Sequence, residues 1–119
     1  MENRSHIYEM TLSEPWFGLV AARIKDIELR VMDEKRSQIN IGDTIAFRSK
    51  SDQVNMIIYR KVIDLMIFWD FRSALEQLGL HRTLPGRAKN LDDGLNIYHS
   101  IDKYQEKAQK YGVIAFILK

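Results

Sequence analysis

Lys25, Glu28 and Arg30 put two cations and one carboxylate within five residue steps in the segment KDIELR. Successive side chains of an extended chain point to opposite faces, so Glu28 and Arg30 share a face and Lys25 stands at its entrance. They can converge on one small ligand. Arg30 can fork two hydrogen bonds to a phosphate or a base edge, and Glu28 can accept from an exocyclic amine. Lys25 can act as a point charge or, once desolvated, as a base. The competing use of these residues is an internal ion-pair network that ties the strand to the following loop. Buried ion pairs stabilise little by themselves, which favours the functional use.

The other polar clusters are less specific. The run Asp33, Glu34, Lys35, Arg36 reads as a solvated loop, in which Lys35 and Arg36 are phosphate-binding candidates. Trp16, Phe17, Tyr59 and Trp69 have the chemistry to stack on bases, although aromatics in strands and short helices more often fill cores. Trp16 is the best placed of them, directly after Pro15 at an expected helix start, where unpaired amides can also receive an anion. Arg72, Arg82, Arg87 and Lys89 gather around the turn Leu84-Pro85-Gly86 as a basic rim or an ordinary solvated surface. His6, His81 and His99 lack metal-ligand spacing. There is no glycine-rich phosphate loop, HExxH or Gly-x-Ser-x-Gly motif. No metal or cofactor is expected.

The elements that must position these residues follow from periodicity. Ile7 to Leu12 alternates as a strand, and Trp16 to Arg23 reads as a short helix whose apolar face holds Phe17, Val20 and Ala21. Asp26 to Val31 alternates again, with Ile27, Leu29 and Val31 facing the core and Asp26, Glu28 and Arg30 on the opposite face. Gly42-Asp43 is a turn, Thr44 to Arg48 a strand, and Ser49 to Gln53 a hairpin connection. Val54 to Trp69 is apolar enough for one long bent strand or two. Asp70 caps a helix from Phe71 to Leu78 that Gly79 stops. Asn90 caps a longer helix from Leu91 to about Lys110, and Gly112 precedes a closing strand, Val113 to Leu118. Short strands mixed with two or three helices indicate an α+β fold.

Composition sets the outer bounds. The length of 119 residues suits a single domain spanning residues 1–119. A chain that is 45% hydrophobic and 29% charged can offset its ordering entropy and fold alone. No apolar run is long enough for a membrane span, and the polar start has no signal-peptide core. With no cysteine, disulfides, thiolate catalysis and cysteine-bound zinc are excluded, and a cytoplasmic location is expected. A net charge of +2 does not diagnose a nucleic-acid partner.

The segment EPWFGLVAARIKDIELRVMDEKRSQINIGDTIAF, Glu14 to Phe47, resembles the N-terminal signature of the ASCH family. In that family a Gly-x-Lys-x-x-Glu-x-Arg segment precedes a charged loop and a Gly-Asp turn. Lys25, Glu28, Arg30, Gly42 and Asp43 stand in those places. Arg23 takes the position of the glycine, which predicts a helix that ends without a left-handed residue. DFRSALEQLGL, LPG and YGVIAFIL extend the likeness to nearly the whole chain.

The resemblance implies a PUA-like mixed β-barrel with a cleft beneath a helix and a role in binding RNA or a nucleotide or nucleoside. For some small bacterial members it also implies hydrolysis of acetylated cytidine, with Lys25 matching their catalytic lysine and Glu28 standing where their catalytic threonine falls. Three functions are therefore expected in this order: a nucleotide- or RNA-binding module lined by Trp16, Lys25, Glu28, Arg30, Lys35 and Arg36; a metal-independent amidohydrolase using Lys25 and Glu28; and a protein-interaction domain.

Overall fold

The computed structural model describes residues 5–119. The first four residues, part of the polar start considered above, lie outside that range. Five strands, β1 (Ile7–Leu12), β2 (Ile27–Val31), β3 (Thr44–Ser49), β4 (Ile57–Phe68) and β5 (Val113–Leu118), form one curled sheet in the order β1-β3-β4-β5-β2. β1 runs parallel to β3, and every other pair is antiparallel. β4 is a single strand long enough to serve both halves. Its first part pairs with β3 and its second with β5, with a register irregularity between Val62 and Asp64 where the sheet bends.

The sheet is a half-barrel whose edge strands, β1 and β2, approach each other across the open side. Its concave face holds Met10, Leu12, Ile45, Phe47, Val62, Ile114, Phe116 and Leu118, sealed at one end by Phe17 and Val20. Residues directly opposed in an antiparallel pair share a face. Glu28 lies opposite Phe116 and Arg30 opposite Ile114, so this charged pair points into the barrel. Ile27, Leu29 and Val31 point the other way, into a second core under the helices. The expectation that the Glu28 face of this strand would be its non-core face is therefore corrected: both faces are covered, and Glu28 is only 5% exposed.

Among the described residues there are five helices: α1 (Trp16–Ala21), α2 (Phe71–Leu78), α3 (Leu80–Thr83), α4 (Leu91–His99) and α5 (Tyr104–Tyr111). The expected caps form, with the Asp70 and Asn90 carboxylate and amide oxygens each accepting at 2.9 Å from the amides of Ser73 and Asp93. Phe71 stacks between Tyr98 and Tyr104, at 4.5 and 5.7 Å between ring centroids, and joins α2 to α4 and α5.

Two local expectations change. The helix from Leu91 does not reach Lys110 but breaks after His99, where the Ser100 hydroxyl bonds the Ile97 carbonyl at 2.7 Å, and resumes after Lys103 in a left-handed conformation. A serine that turns back on its own helix offers the backbone an alternative to the next turn. Helix α1 does end in a left-handed residue, and that residue is Arg23, at φ 60°. Ile24 N–H bonds Leu19 C=O at 3.0 Å and Arg23 N–H bonds Val20 C=O at 3.2 Å, the paired closure that usually employs glycine. None of the described helices is long and apolar enough to cross a membrane.

Candidate functional site

The Schellman closure at Arg23 turns the chain sharply from α1 into β2, and Lys25 occupies the turn with its own N–H bonded to Leu19 C=O at 3.1 Å. Beneath it lies Arg60 of β4. The Arg60 guanidinium donates to the carbonyls of Val20 at 2.9 Å and Lys25 at 3.2 Å, and to the Asp26 carboxylate at 2.7 Å. Arg60 thus fixes the backbone on both sides of Lys25. Its place in the sequence marks it only as a break in an apolar strand, but its parity with Ile58 and Val62 puts it on the concave face.

Lys25 is 1% exposed. Its ammonium donates to the Thr83 carbonyl at the end of α3, stands 3.9 Å from Glu28 Oε1, and lies 5.8 Å from the centre of the Trp16 ring. Arg30 meets the other carboxylate oxygen, with its Nε 2.6 Å from Glu28 Oε2, and its Nη2 donates to the Thr11 carbonyl at 3.0 Å. The two cations therefore flank one carboxylate, each on its own oxygen.

These side chains line a cavity of about 290 Å³ at the free edge of β2. One wall is Trp16 with Leu12 and Ser13, the opposite wall Ile97, Tyr98, Ser100, Ile101 and Tyr104, and Lys50 stands at its rim. The break between α4 and α5 is what delivers Ser100, Ile101 and Tyr104 to this opening. Lys25, Arg30 and Lys50 against Glu28 leave the lining cationic. Burial lowers the Lys25 pKa to about 8, an effect that Glu28 opposes and Arg30 reinforces. Burial also works against the charge of Arg30, but Glu28, helped by Tyr104, outweighs it and holds the guanidinium above its ordinary value. Tyr98 is pushed well above the ordinary tyrosine range by burial and then by the negative charge of Glu28.

Of the six binding residues expected from sequence, Trp16, Lys25, Glu28 and Arg30 come together here. Lys35 and Arg36 lie outside the cleft, in a 3₁₀ turn where Arg36 is bound to Asp33 through Nη1 at 2.8 Å and through its backbone amide at 3.0 Å. Phe17 is core, Tyr59 is on the outer sheet face, and Trp69 is 90% exposed at the end of β4. Arg72, Arg82, Arg87 and Lys89 are all exposed and line no part of this cavity. Thr83, Tyr98 and Tyr104 carried no individual signal in sequence, because only the α3 and α4–α5 packing brings them to β2.

The pattern of the ASCH domain family matches residues 10–118, which take in the end of β1, all of β2 to β5 and all five helices. The chain belongs to the ASCH domain family. Two solved structures agree with the ASCH assignment and the PUA-like architecture. The crystal structure of hypothetical protein PH0355 has 34% identity and a TM-score of 0.80, over 95% of this chain and 97% of that one. The solution NMR structure of protein PF0455 from Pyrococcus furiosus has 35% identity and a TM-score of 0.74, over 95% and 96% of the two chains. No curated protein matches this ASCH domain.

Proposed function

We propose that the cleft binds a nucleotide, free or as an unpaired residue of RNA, with Trp16 as a stacking surface and Lys25, Glu28 and Arg30 as the polar recognition set. The observation that carries this reading is the convergence of these four side chains on one cationic cavity of about 290 Å³. That size is at the low end for small-molecule sites, which suits one nucleoside and excludes a base-paired duplex from the interior. An aromatic wall beside hydrogen-bonding groups is how single-stranded bases are held, and ASCH domains are proposed to bind RNA. On a longer strand Lys35 and Arg36 add phosphate contacts beyond the cleft. A cytoplasmic location goes with this reading.

Thermal-shift titration with nucleoside monophosphates and short single-stranded RNAs tests it, since a ligand that binds only the folded state raises its stability. Lys25→Ala and Arg30→Ala should weaken binding and flatten its salt dependence. Indifference of the parent protein to the whole panel would overturn the proposal.

A second reading is favoured by one observation, the lowering of the Lys25 ammonium to about 8 inside a cleft. A lysine in that range can serve as a general base near neutral pH. On an acetylated cytidine it would take a proton from water as the water attacks the acyl carbon. Lys25 would then return that proton to the leaving nitrogen as the C–N bond breaks, with acetate and the amine as products and Glu28 as the carboxylate beside the reacting group. Release of acetate by the parent protein and its loss in Lys25→Met would support hydrolysis; no release from the parent protein rejects it.

A further inference from the structure

Glu28 is a carboxylate with one oxygen satisfied and one open. Oε2 is held by Arg30 Nε at 2.6 Å, whereas the nearest cation to Oε1, Lys25 Nζ, stands at 3.9 Å, beyond hydrogen-bond reach. No described residue donates a hydrogen bond to Oε1, although Glu28 is only 5% exposed. Oε1 is not sealed in the interior but faces the cleft, where a donor that enters can reach it. The groups on either side of it are donors. Lys25 directs one N–H to the Thr83 carbonyl and has two remaining, and Arg30 commits Nε to Glu28 and Nη2 to Thr11 beside the Tyr104 hydroxyl, with guanidinium N–H groups to spare.

We propose that the cleft reads the imide edge of a uracil-type base, in which a ring N–H lies between two carbonyl oxygens. This rests on the nucleotide reading above and names the base. The open Glu28 oxygen accepts from the ring N–H, Lys25 donates to one flanking carbonyl and Arg30 to the other, while Trp16 covers a face of the ring.

The other bases leave part of the array unmatched. Cytosine and adenine carry a lone pair where uracil has its ring N–H, so in the same pose they set a lone pair against the Glu28 carboxylate. They can offer their exocyclic amine to Glu28 only by shifting along the array, and one cation then loses its acceptor. Guanine has a ring N–H and one neighbouring carbonyl, but its 2-amino group meets the second cation donor to donor. An unmatched polar group in a desolvated site costs enough to give roughly tenfold discrimination or more. The cavity of about 290 Å³ leaves room for a single such base with its sugar.

Calorimetric titration of the full chain with uridine, cytidine, adenosine, guanosine and N3-methyluridine monophosphates tests this. Short oligouridylate and oligocytidylate are run in parallel. Uridine monophosphate or oligouridylate should bind roughly tenfold or more tightly than the other bases in the same form, and N3-methylation should remove that advantage. A preference already present in the monophosphates points to a free nucleotide as the ligand, and one confined to the oligomers points to an unpaired RNA base. Glu28→Gln, checked for folding by circular dichroism, should erase the preference; the N3-methyl comparison needs no variant and decides the matter if Glu28→Gln does not fold. Equal or tighter binding of cytidine or adenosine, or tolerance of N3-methylation, overturns the imide assignment and leaves nucleotide binding standing. Failure of every nucleotide and oligomer to bind overturns both.

Discussion

Arg30 of β2 donates through Nη2 to the Thr11 carbonyl of β1 at 3.0 Å, so one side chain bridges the two edge strands that the sheet leaves unpaired. Glu28 holds the same guanidinium at 2.6 Å from within the barrel. Arg30 is thus both a lining residue of the cleft and the tie across its open side.

Replacing Arg30 should consequently change stability as well as binding. Arg30→Met keeps the bulk of the side chain but leaves Glu28 buried without its close partner and the Thr11 carbonyl without its donor. The expected cost is about 3 kcal/mol, because breaking a largely buried pair from one side strands a charge. Urea denaturation should give a lower midpoint with an unchanged slope. A loss within about 0.5 kcal/mol, the scatter of ordinary surface changes, would show that the bridge does not hold the edge strands.

Arg23 gives the opposite sign. An L-residue in the left-handed region costs about 1–2 kcal/mol, part of which glycine returns as greater freedom of the unfolded chain. Since Arg23 is exposed and sits at φ 60°, Arg23→Gly should stabilise the protein by roughly 0.5–1 kcal/mol without changing nucleotide affinity. Paired chemical denaturation and binding curves check both halves of this expectation.

These two arginines show where sequence reading succeeds and where it stops. The Glu28–Arg30 alternation was legible because strand parity is local, and so were the Asp70 and Asn90 caps. That Arg23 would itself adopt the glycine conformation was not, since the demand comes from the path into β2 that Lys25 and Arg60 enforce. The break at Ser100 was hidden for a similar reason: Leu95, Tyr98 and Gln105 keep a helical period straight through it. Likewise, the burial of both faces of β2 depends on α2 to α5 packing over it, and alternation alone reads as one covered face.

Trp16 should account for much of the affinity but little of the base preference. Stacking is tolerant of base identity and contributes about 1–3 kcal/mol per base. Trp16→Ala should therefore weaken every bound nucleotide by roughly tenfold to a hundredfold while preserving their order. Fluorescence or calorimetric titration would expose a changed order, and that result would move Trp16 from stacking to edge recognition.

The buried Lys25 predicts a pH signature. Its folded-state pKa is lowered from 10.5 to about 8, so between these values the unfolded chain binds more protons than the folded one. Stability therefore gains a contribution that grows as pH rises from about 8 towards 10.5. Tyr98, shifted above its ordinary 10.0, opposes this at the upper end, because there the unfolded chain is the first to lose the phenolic proton. The difference between the parent and Lys25→Met isolates the lysine: their free-energy gap should change across this window and be flat below it. Affinity for nucleotide anions should fall through the same range as the ammonium is neutralised.

Arg60 provides a test of positioning separate from contact. It touches no part of the cavity, yet it holds the Val20, Lys25 and Leu118 carbonyls, the last at 3.4 Å, and the Asp26 carboxylate. Asp26 is largely exposed and can be rehydrated cheaply, so the cost of Arg60→Met falls on the buried carbonyls and amounts to about 2–3 kcal/mol. Lysine at this site keeps the charge but lacks the planar fork that reaches several acceptors at once. Arg60→Lys should therefore recover part of the stability and little of the affinity, because the Lys25 turn is no longer held from both sides. Denaturation midpoints and dissociation constants for the two variants decide this. Full recovery of binding by lysine would mean that Arg60 supplies only charge to the barrel interior.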